Sequence, residues 1–473
     1  MHLWPFALSD QGQRRFAAIW GSLVARDEPA RREMLDVIRT WQTRVWAALD
    51  DESRWRHLNL PLPSPRGLDA YVRPPEPPLA TPTRIRLTNL RGLRAVEVDV
   101  TAPRAGEGAL LVILGENGLG KTTLLRGMVF ALVDPGVAGG FLSRSPAPYR
   151  ARGCAEARCV VETTRGAYLA VIENGGGLER IASSSAPERT RPFVVAYGCR
   201  RGSALGSPLQ PSEPSSADDV DNLFDRPVGL THAEAWLARL KAASRTPGDA
   251  PWQIYERVRE ALKDVLPGVE DIDILEDGRV WVTFRDPVQG QVRWAALSDG
   301  YLTTAGWIID LMARWIEGQA HRLKLPVEPD FRETMTGYAL VDEIDLHLHP
   351  AWQAVILQDV RRLFPRMHFI VTTHNPLTLT GARPGEIRVL ARDTRTGEVT
   401  VEAPPFDPRL RTGSELYARF FNIKKLYPAE LDQKLTRYRD LATDPTRSDE
   451  EDTEARSLLG ELREEQIDPG FEP

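Results

Sequence analysis

The segment Gly115-Glu-Asn117-Gly118-Leu-Gly120-Lys121-Thr122-Thr123 constrains this chain more than any other. It fits the spacing G-x-x-x-x-G-K-[ST], follows the continuous apolar run LLVIL and opens the helical run TTLLRGMVFAL. The glycines let the backbone curl so that its N–H groups meet phosphate oxygens, and the helix N-terminus behind the loop adds positive potential. Gly115, Asn117, Gly118, Gly120, Lys121, Thr122 and Thr123 are therefore the expected phosphate contacts. Within them, Lys121 reaches the outer phosphates and the Thr122 hydroxyl ligates magnesium. A chance glycine-rich turn is the competing account, and the strand-loop-helix setting argues against it.

A second buried run, Tyr338-Ala-Leu-Val-Asp342-Glu343, ends in two adjacent acids. Consecutive strand side chains diverge, so the pair cannot both face one metal. Asp342 is expected to hold magnesium and Glu343 to polarise an attacking water. Leu297-Ser298-Asp299-Gly300-Tyr301 precedes a helical run, where Ser298 and Gly300 offer a hydroxyl and bare backbone donors to a phosphate. Alone it reads equally well as a helix cap. Asp345-Leu-His347-Leu-His349-Pro350 follows the acids. On a strand the two histidines would share a face and suit a metal, whereas a short loop into a helix explains them without one. His374 follows the strand HFIVTT, where it can contact a γ-phosphate or pack in the core.

Taken together, these motifs resemble those of an ABC-type ATPase head over residues 83–395, of the cytosolic SMC/RecF-like branch. LSDGY stands where transporters show LSGGQ, Asp345–Pro350 matches the D-loop, and Thr372-Thr-His374-Asn-Pro matches the switch histidine. DEIDLHLHPAWQ, TTHNP and AYGxxR followed by NLFD look more narrowly like stand-alone bacterial AAA family ATPases, including the ATPase subunits of Septu and retron-associated anti-phage systems. The resemblance implies an α/β fold with a mixed P-loop sheet, an antiparallel β subdomain and a helical signature subdomain. It also implies ATP and magnesium, Glu343 as general base, and His374 and Asp345 completing the water site. Two heads would sandwich two ATP molecules, with Ser298 and Gly300 acting on the partner's nucleotide. The implied function is the sensor or regulatory ATPase of a defence complex; the alternative is a RecF-like DNA repair protein. No Q-loop glutamine can be placed, and Tyr197, Arg200 and Arg201 occupy that neighbourhood without a role.

Composition narrows the partners. In 473 residues, 60 Lys and Arg stand against 66 Asp and Glu, a net charge of -6 that excludes a globally basic nucleic-acid coat. DNA contact, if made, is expected at Arg144, Arg150, Arg152, Arg200 and Arg201; a solvated arginine surface is the other account. Cys154, Cys159 and Cys199 are too few for a disulfide framework, and no second pair completes a zinc set. The start MHLWPFALSDQGQRR lacks signal-peptide order, and no run of 18 apolar residues exists, so a cytoplasmic chain without membrane contact is expected.

Residues 1–60 read as two Trp-rich amphipathic helices and 61–82 as a proline-dense linker. The head spans 83–405, with a mobile Ser/Pro/Asp-rich loop at 201–221 and a helical insert at 222–270. Residues 406–473 look helical and turn acidic at SDEEDTEAR. Phe420, Phe421, Ile423, Leu426 and Tyr427 are too apolar for a solvated tail. They either fold back on the head or offer an acid-rimmed groove to a basic partner such as a nuclease subunit. After His374 no Asp-x-Asp or HNH pattern occurs, so a nuclease is expected on a separate chain.

Overall fold

The computed structural model describes residues 80–465, apart from 176, 188–190, 202–218, 225–229, 244–249, 276–277, 324–329, 405, 412–414, 417–419, 421–428 and 444–446. These belong to one of the two units into which the chain divides, Ala80–Pro473. The Trp-rich helices, the linker up to residue 79, most of the 201–221 loop, and Phe421, Ile423, Leu426 and Tyr427 lie outside the described residues.

The alternating sequences RIRLTNL and LRAVEVD form an antiparallel hairpin, β1 (Pro82–Leu90) and β2 (Leu93–Asp99). Beside them run β4 (Glu156–Thr163), β5 (Gly166–Gly175) and β6 (Leu178–Ser185), giving a five-stranded antiparallel sheet of order β2-β1-β4-β5-β6. The central sheet has the order β14-β13-β3-β12-β11-β7. Its members are β3 (Leu110–Gly115), β7 (Val194–Tyr197), β11 (Gly337–Val341), β12 (Met367–Thr373), β13 (Ile387–Arg392) and β14 (Val399–Glu402). All neighbours are parallel except the edge strand β14.

Every residue of β3, β7, β11 and β12 is buried, as expected of parallel strands covered on both faces. Alternation decides which residue meets which layer. Leu111, Ile113, Leu340 and Ile370 join the core of α1 (Lys121–Leu132) and the antiparallel sheet. Leu110, Val112, Leu114, Val341 and Val371 join the core of α4 (Ala250–Val265), α5 (Asp299–Leu323) and α8 (Ile356–Leu363). The shorter helices α2 (Pro135–Arg144), α3 (Ala233–Ala243) and α6 (Phe331–Thr334) complete the layers. Gly127 of α1 sits so close to β1 that a Cβ would come within 2.7 Å of Leu87.

Three elements depart from expectation. The insert at 222–270 is helical only to Val265; Val269–Ile274 is a strand, β8, in a small antiparallel sheet with β9 (Val280–Phe284) and β10 (Gln291–Arg293). The run AWQAVILQDVRRLF is two helices, α7 (Pro350–Gln353) and α8, with a turn at Ala354 and Val355 between them. At the C-terminal end, α9 (Ala429–Thr443) and α10 (Asp449–Glu464) pack on each other through Leu435, Tyr438 and Leu462, while Phe420 packs against the head core. Among the described residues, no helix is long and apolar enough to cross a membrane.

Candidate nucleotide site

The parallel register sets the site. β3, β7, β11 and β12 end at one edge of the sheet, where Thr373 pairs with Leu114, Val341 with Val371, and Val341 with Tyr197. The residues that follow each strand therefore converge: Gly115–Gly120, Gly198–Arg201, Asp342–Glu343 and His374. Ligands of open α/β sheets bind beyond the carboxyl ends of the strands, and a cleft of about 360 Å³ lies there.

One wall of the cleft is the glycine-rich loop. Gly118 and Gly120 take φ of 83° and 94°, which glycine adopts without strain. Gly120 also starts α1 with no side-chain cap, and a Cβ on it would lie 2.8 Å from Leu93. Asn117, Gly118, Gly120, Lys121, Thr122 and Thr123 line the cleft, while Gly115 is buried at the end of β3. The Lys121 ammonium donates to the carbonyls of Gly115 (2.6 Å) and Glu116 (3.1 Å). Burial pulls its pKa down, and Asp342, Glu343 and Asp345 act against that pull. Opposite, Asn222 accepts from the Gly198 N–H at 2.8 Å, and Arg126 donates to the Leu223 carbonyl at 2.9 Å. Arg91 closes the β1–β2 turn at φ 52°, its guanidinium 4.0 Å from the centre of the Tyr149 ring.

At the other wall, Asp342 is gripped by two threonines. Thr122 Oγ1 donates to Asp342 Oδ2 at 2.6 Å, and Thr372 Oγ1 donates to Asp342 Oδ1 at 2.5 Å. The Thr372 hydroxyl in turn accepts from the Glu343 N–H at 2.8 Å. Thr122 and Asp342 thus set a hydroxyl and a carboxylate side by side at the start of α1. That hard-oxygen donor set fits Mg²⁺, which is held by one or two protein oxygens plus substrate phosphates and water. Glu343 has φ 48°, and its Oε1 lies 3.6 Å from His374 Nδ1. Asp345 is buried, and burial raises its pKa against the influence of Thr373, His374 and Arg201.

Glu343 lines the cleft with Asp342, whereas Asp345, His374, Ser298 and Gly300 do not. Ser298 is exposed just before α5, and Gly300 packs on the His347 backbone. The two histidines of Asp345–Pro350 are not on a strand. His347 takes φ 64° in a turn, and His349 caps α7 by accepting from the Ala351 N–H.

The proposed arginine cluster does not form as a surface. Arg201 is 2% exposed, and its guanidinium donates to the carbonyls of Asp342 and Glu343. Arg150 donates to the Cys154 carbonyl and lies 4.0 Å from Glu179, leaving Arg144, Arg152 and Arg200 exposed. Sequence reading assigned no role to Thr372 and offered Arg201 only as a candidate DNA contact, although both lie in named motifs. It also missed Asp310, fully buried on α5, which accepts from Tyr197 Oη, the Thr231 N–H and hydroxyl, and Arg314.

A P-loop before α1, an acid pair closing β11, an antiparallel sheet over α1 and a helix opening at LSDGY on the opposite face define an ABC-type ATPase head. No family model matches the chain. Its sequence is similar to "Septu protein PtuA" of Bacillus mycoides (strain KBAB4), 23% identical over 390 residues, covering 80% of this chain and 50% of that protein. It is also similar to "Retron Vc95 probable ATPase" of Vibrio cholerae serotype O1 biovar El Tor, 38% identical over 96 residues, 20% of this chain and 17% of that one. The chain thus spans half the length of the first relative and less of the second. The SMC head domain from Thermotoga maritima is 12% identical with a TM-score of 0.36, covering 69% of this chain and 100% of that one. By sequence the chain is similar to Septu and retron ATPases over these stretches.

Proposed function

We propose that this chain binds and hydrolyses ATP, closes head-to-tail with a second copy around two nucleotides, and works as the ATPase subunit of a bacterial anti-phage complex whose effector, such as a nuclease, is a separate chain. The observation that carries the reading is the linked set Thr122–Asp342–Thr372–Glu343 facing Lys121 across one cleft. Lys121 and the loop N–H groups bind the phosphates. Thr122 and Asp342 hold magnesium, which when bound neutralises charge on the outer phosphate oxygens. Glu343 takes the proton of the attacking water, with His374 beside its carboxylate and Asp345 on the following turn. Ser298 is exposed at the start of α5, as a residue that acts on a partner's nucleotide must be, and Gly300 lies two residues on, against the His347 backbone. Relatives named for the Septu and retron systems support the defence role; with Arg201 buried and Arg150 bonded to the Cys154 carbonyl, only Arg144, Arg152 and Arg200 of the arginine cluster remain exposed for a DNA-clamping repair protein.

The test is Glu343→Gln in the full chain. ATP binding is expected to persist while turnover falls about 10²–10⁴-fold, the usual contribution of a general base. Hydrolysis at the wild-type rate would overturn the assignment.

A further inference from the structure

Arg201 is a buried cation with no carboxylate hydrogen-bonded to it in the described residues. Its side chain instead donates to three main-chain carbonyls: Asp342 at 2.5 Å, Glu343 at 2.5 Å and Gly198 at 3.2 Å. Its Nε is buried without a partner among the described residues. A buried charge bonded this incompletely costs folding free energy, so stability alone is a poor account of it. The peptide it holds is unusual as well. Glu343 sits at φ 48°, a left-handed conformation that non-glycine residues rarely adopt.

That turn is pinned from two sides. On one, Thr372 accepts the Glu343 N–H and Ile344 N donates to the Thr372 carbonyl. On the other, the Glu343 carbonyl accepts from Leu346 N and from Arg201. Arg201 reaches across from the segment after β7, so this grip ties the β7 end of the cleft to the acid pair through a side chain. Planar guanidinium geometry suits two adjacent carbonyls in a way that a single ammonium does not.

We propose that Arg201 is the positioning residue of the hydrolytic site. By holding the Asp342 and Glu343 carbonyls it keeps Glu343 in its left-handed turn and aims its carboxylate at the water. This rests on the reading of Glu343 as general base. Arg201 is buried and does not line the cleft, so its loss is expected to act on the chemical step and not on binding. A misplacement of about 1 Å at a reacting group costs up to about 10²-fold.

The experiment compares wild type, Arg201→Lys, Arg201→Met and Glu343→Gln as full-length chains, measuring kcat, KM and equilibrium binding of a fluorescent ATP analogue. Arg201→Met is expected to lose about 10–100-fold in kcat with analogue affinity within about threefold, and Arg201→Lys about tenfold. Should Arg201→Met prove insoluble, Arg201→Lys carries the test. Full recovery of kcat by lysine would mean that charge suffices, and would overturn the carbonyl grip. Parallel loss of affinity and kcat would make Arg201 a general scaffold residue and overturn it too. If Glu343→Gln is inactive while both Arg201 variants turn over normally, this inference alone fails. If Glu343→Gln is fully active, the general-base reading fails and the inference with it.

Discussion

The carbonyl oxygen of His347 occupies the place where a side chain on Gly300 would have to go: a Cβ there would lie 2.5 Å from it. The start of α5 and the turn after the acid pair are thus in backbone contact within one head. Gly300→Ala must displace one or the other, and neither atom belongs to a side chain that could swing aside. Such overpacking typically costs about 1–3 kcal/mol. The expected result is a destabilised chain with at least tenfold lower ATP turnover, whereas Ser298→Ala, at an exposed position, leaves the melting temperature unchanged. Thermal melts alongside steady-state ATPase rates check both.

Thr372→Val keeps shape and burial but removes the hydroxyl shared by Asp342 and the Glu343 N–H. Leaving a buried donor unsatisfied costs about 1–3 kcal/mol. Turnover is expected to drop with the stability, and Thr372→Ser should restore both, since only the hydroxyl is needed. A valine variant as active and as stable as wild type would show that the Thr372 contacts carry nothing.

His368, in β12, is 1% exposed and accepts from the Ala109 N–H at 2.9 Å; burial lowers its pKa from 6.5 to about 4. The unfolded chain therefore takes up this proton near pH 6.5, while the folded chain resists it until about pH 4. The stability tied to neutral His368 is complete above pH 6.5 and is lost progressively as pH falls to about 4. Over that window it amounts to roughly 3 kcal/mol. His368→Asn retains an acceptor for Ala109 and should flatten this loss. Urea unfolding at pH 7 and pH 4.5 on both proteins measures the difference; identical pH slopes would contradict it.

Asp310 offers a sharper stability test. Removing it by Asp310→Ala leaves the Tyr197 hydroxyl and the Thr231 donors unmatched in the core and takes from Arg314 one of its two carboxylates, Asp219 remaining at 3.1 Å; breaking a buried ionic group of this kind costs about 3–5 kcal/mol. Asp310→Asn keeps the shape and loses the charge, so it should fall between. Denaturant midpoints that do not move in either variant would mean that the network is energetically idle.

Much of this fold could be read from the residues because its signals are local. The loop at 115–123, the acids closing β11 and the continuous apolar strands each carry a pattern over fewer than a dozen positions. β13 and β14 were not named because IRVLAR and VTVE become strands through pairing, β13 with β3 far back in the chain. β8 was absorbed into a helical insert because VEDIDI alternates only briefly after α4. The break between α7 and α8 falls inside one amphipathic run, where helical periodicity gives no sign of it. At the site, sequence placed the residues whose own chemistry is conspicuous. It missed Thr372, Arg201 and Asp310, whose importance lies in which main-chain or buried groups they face, a property of the folded chain alone.

Asp310 also acts as an index mark. It lies 11 residues along α5 from Asp299, roughly 16 Å at helical rise, and binds partners from three directions at once. Sliding the helix by one turn, or rolling it by a third of one, would leave at least one partner unmatched in an apolar interior, whereas apolar neighbours alone would tolerate either shift. The helix therefore has a single keyed setting, and Tyr197, the last residue of β7, is part of the key. One hydrogen bond thus fastens the strand that ends at the cleft to the helix that begins just after Ser298.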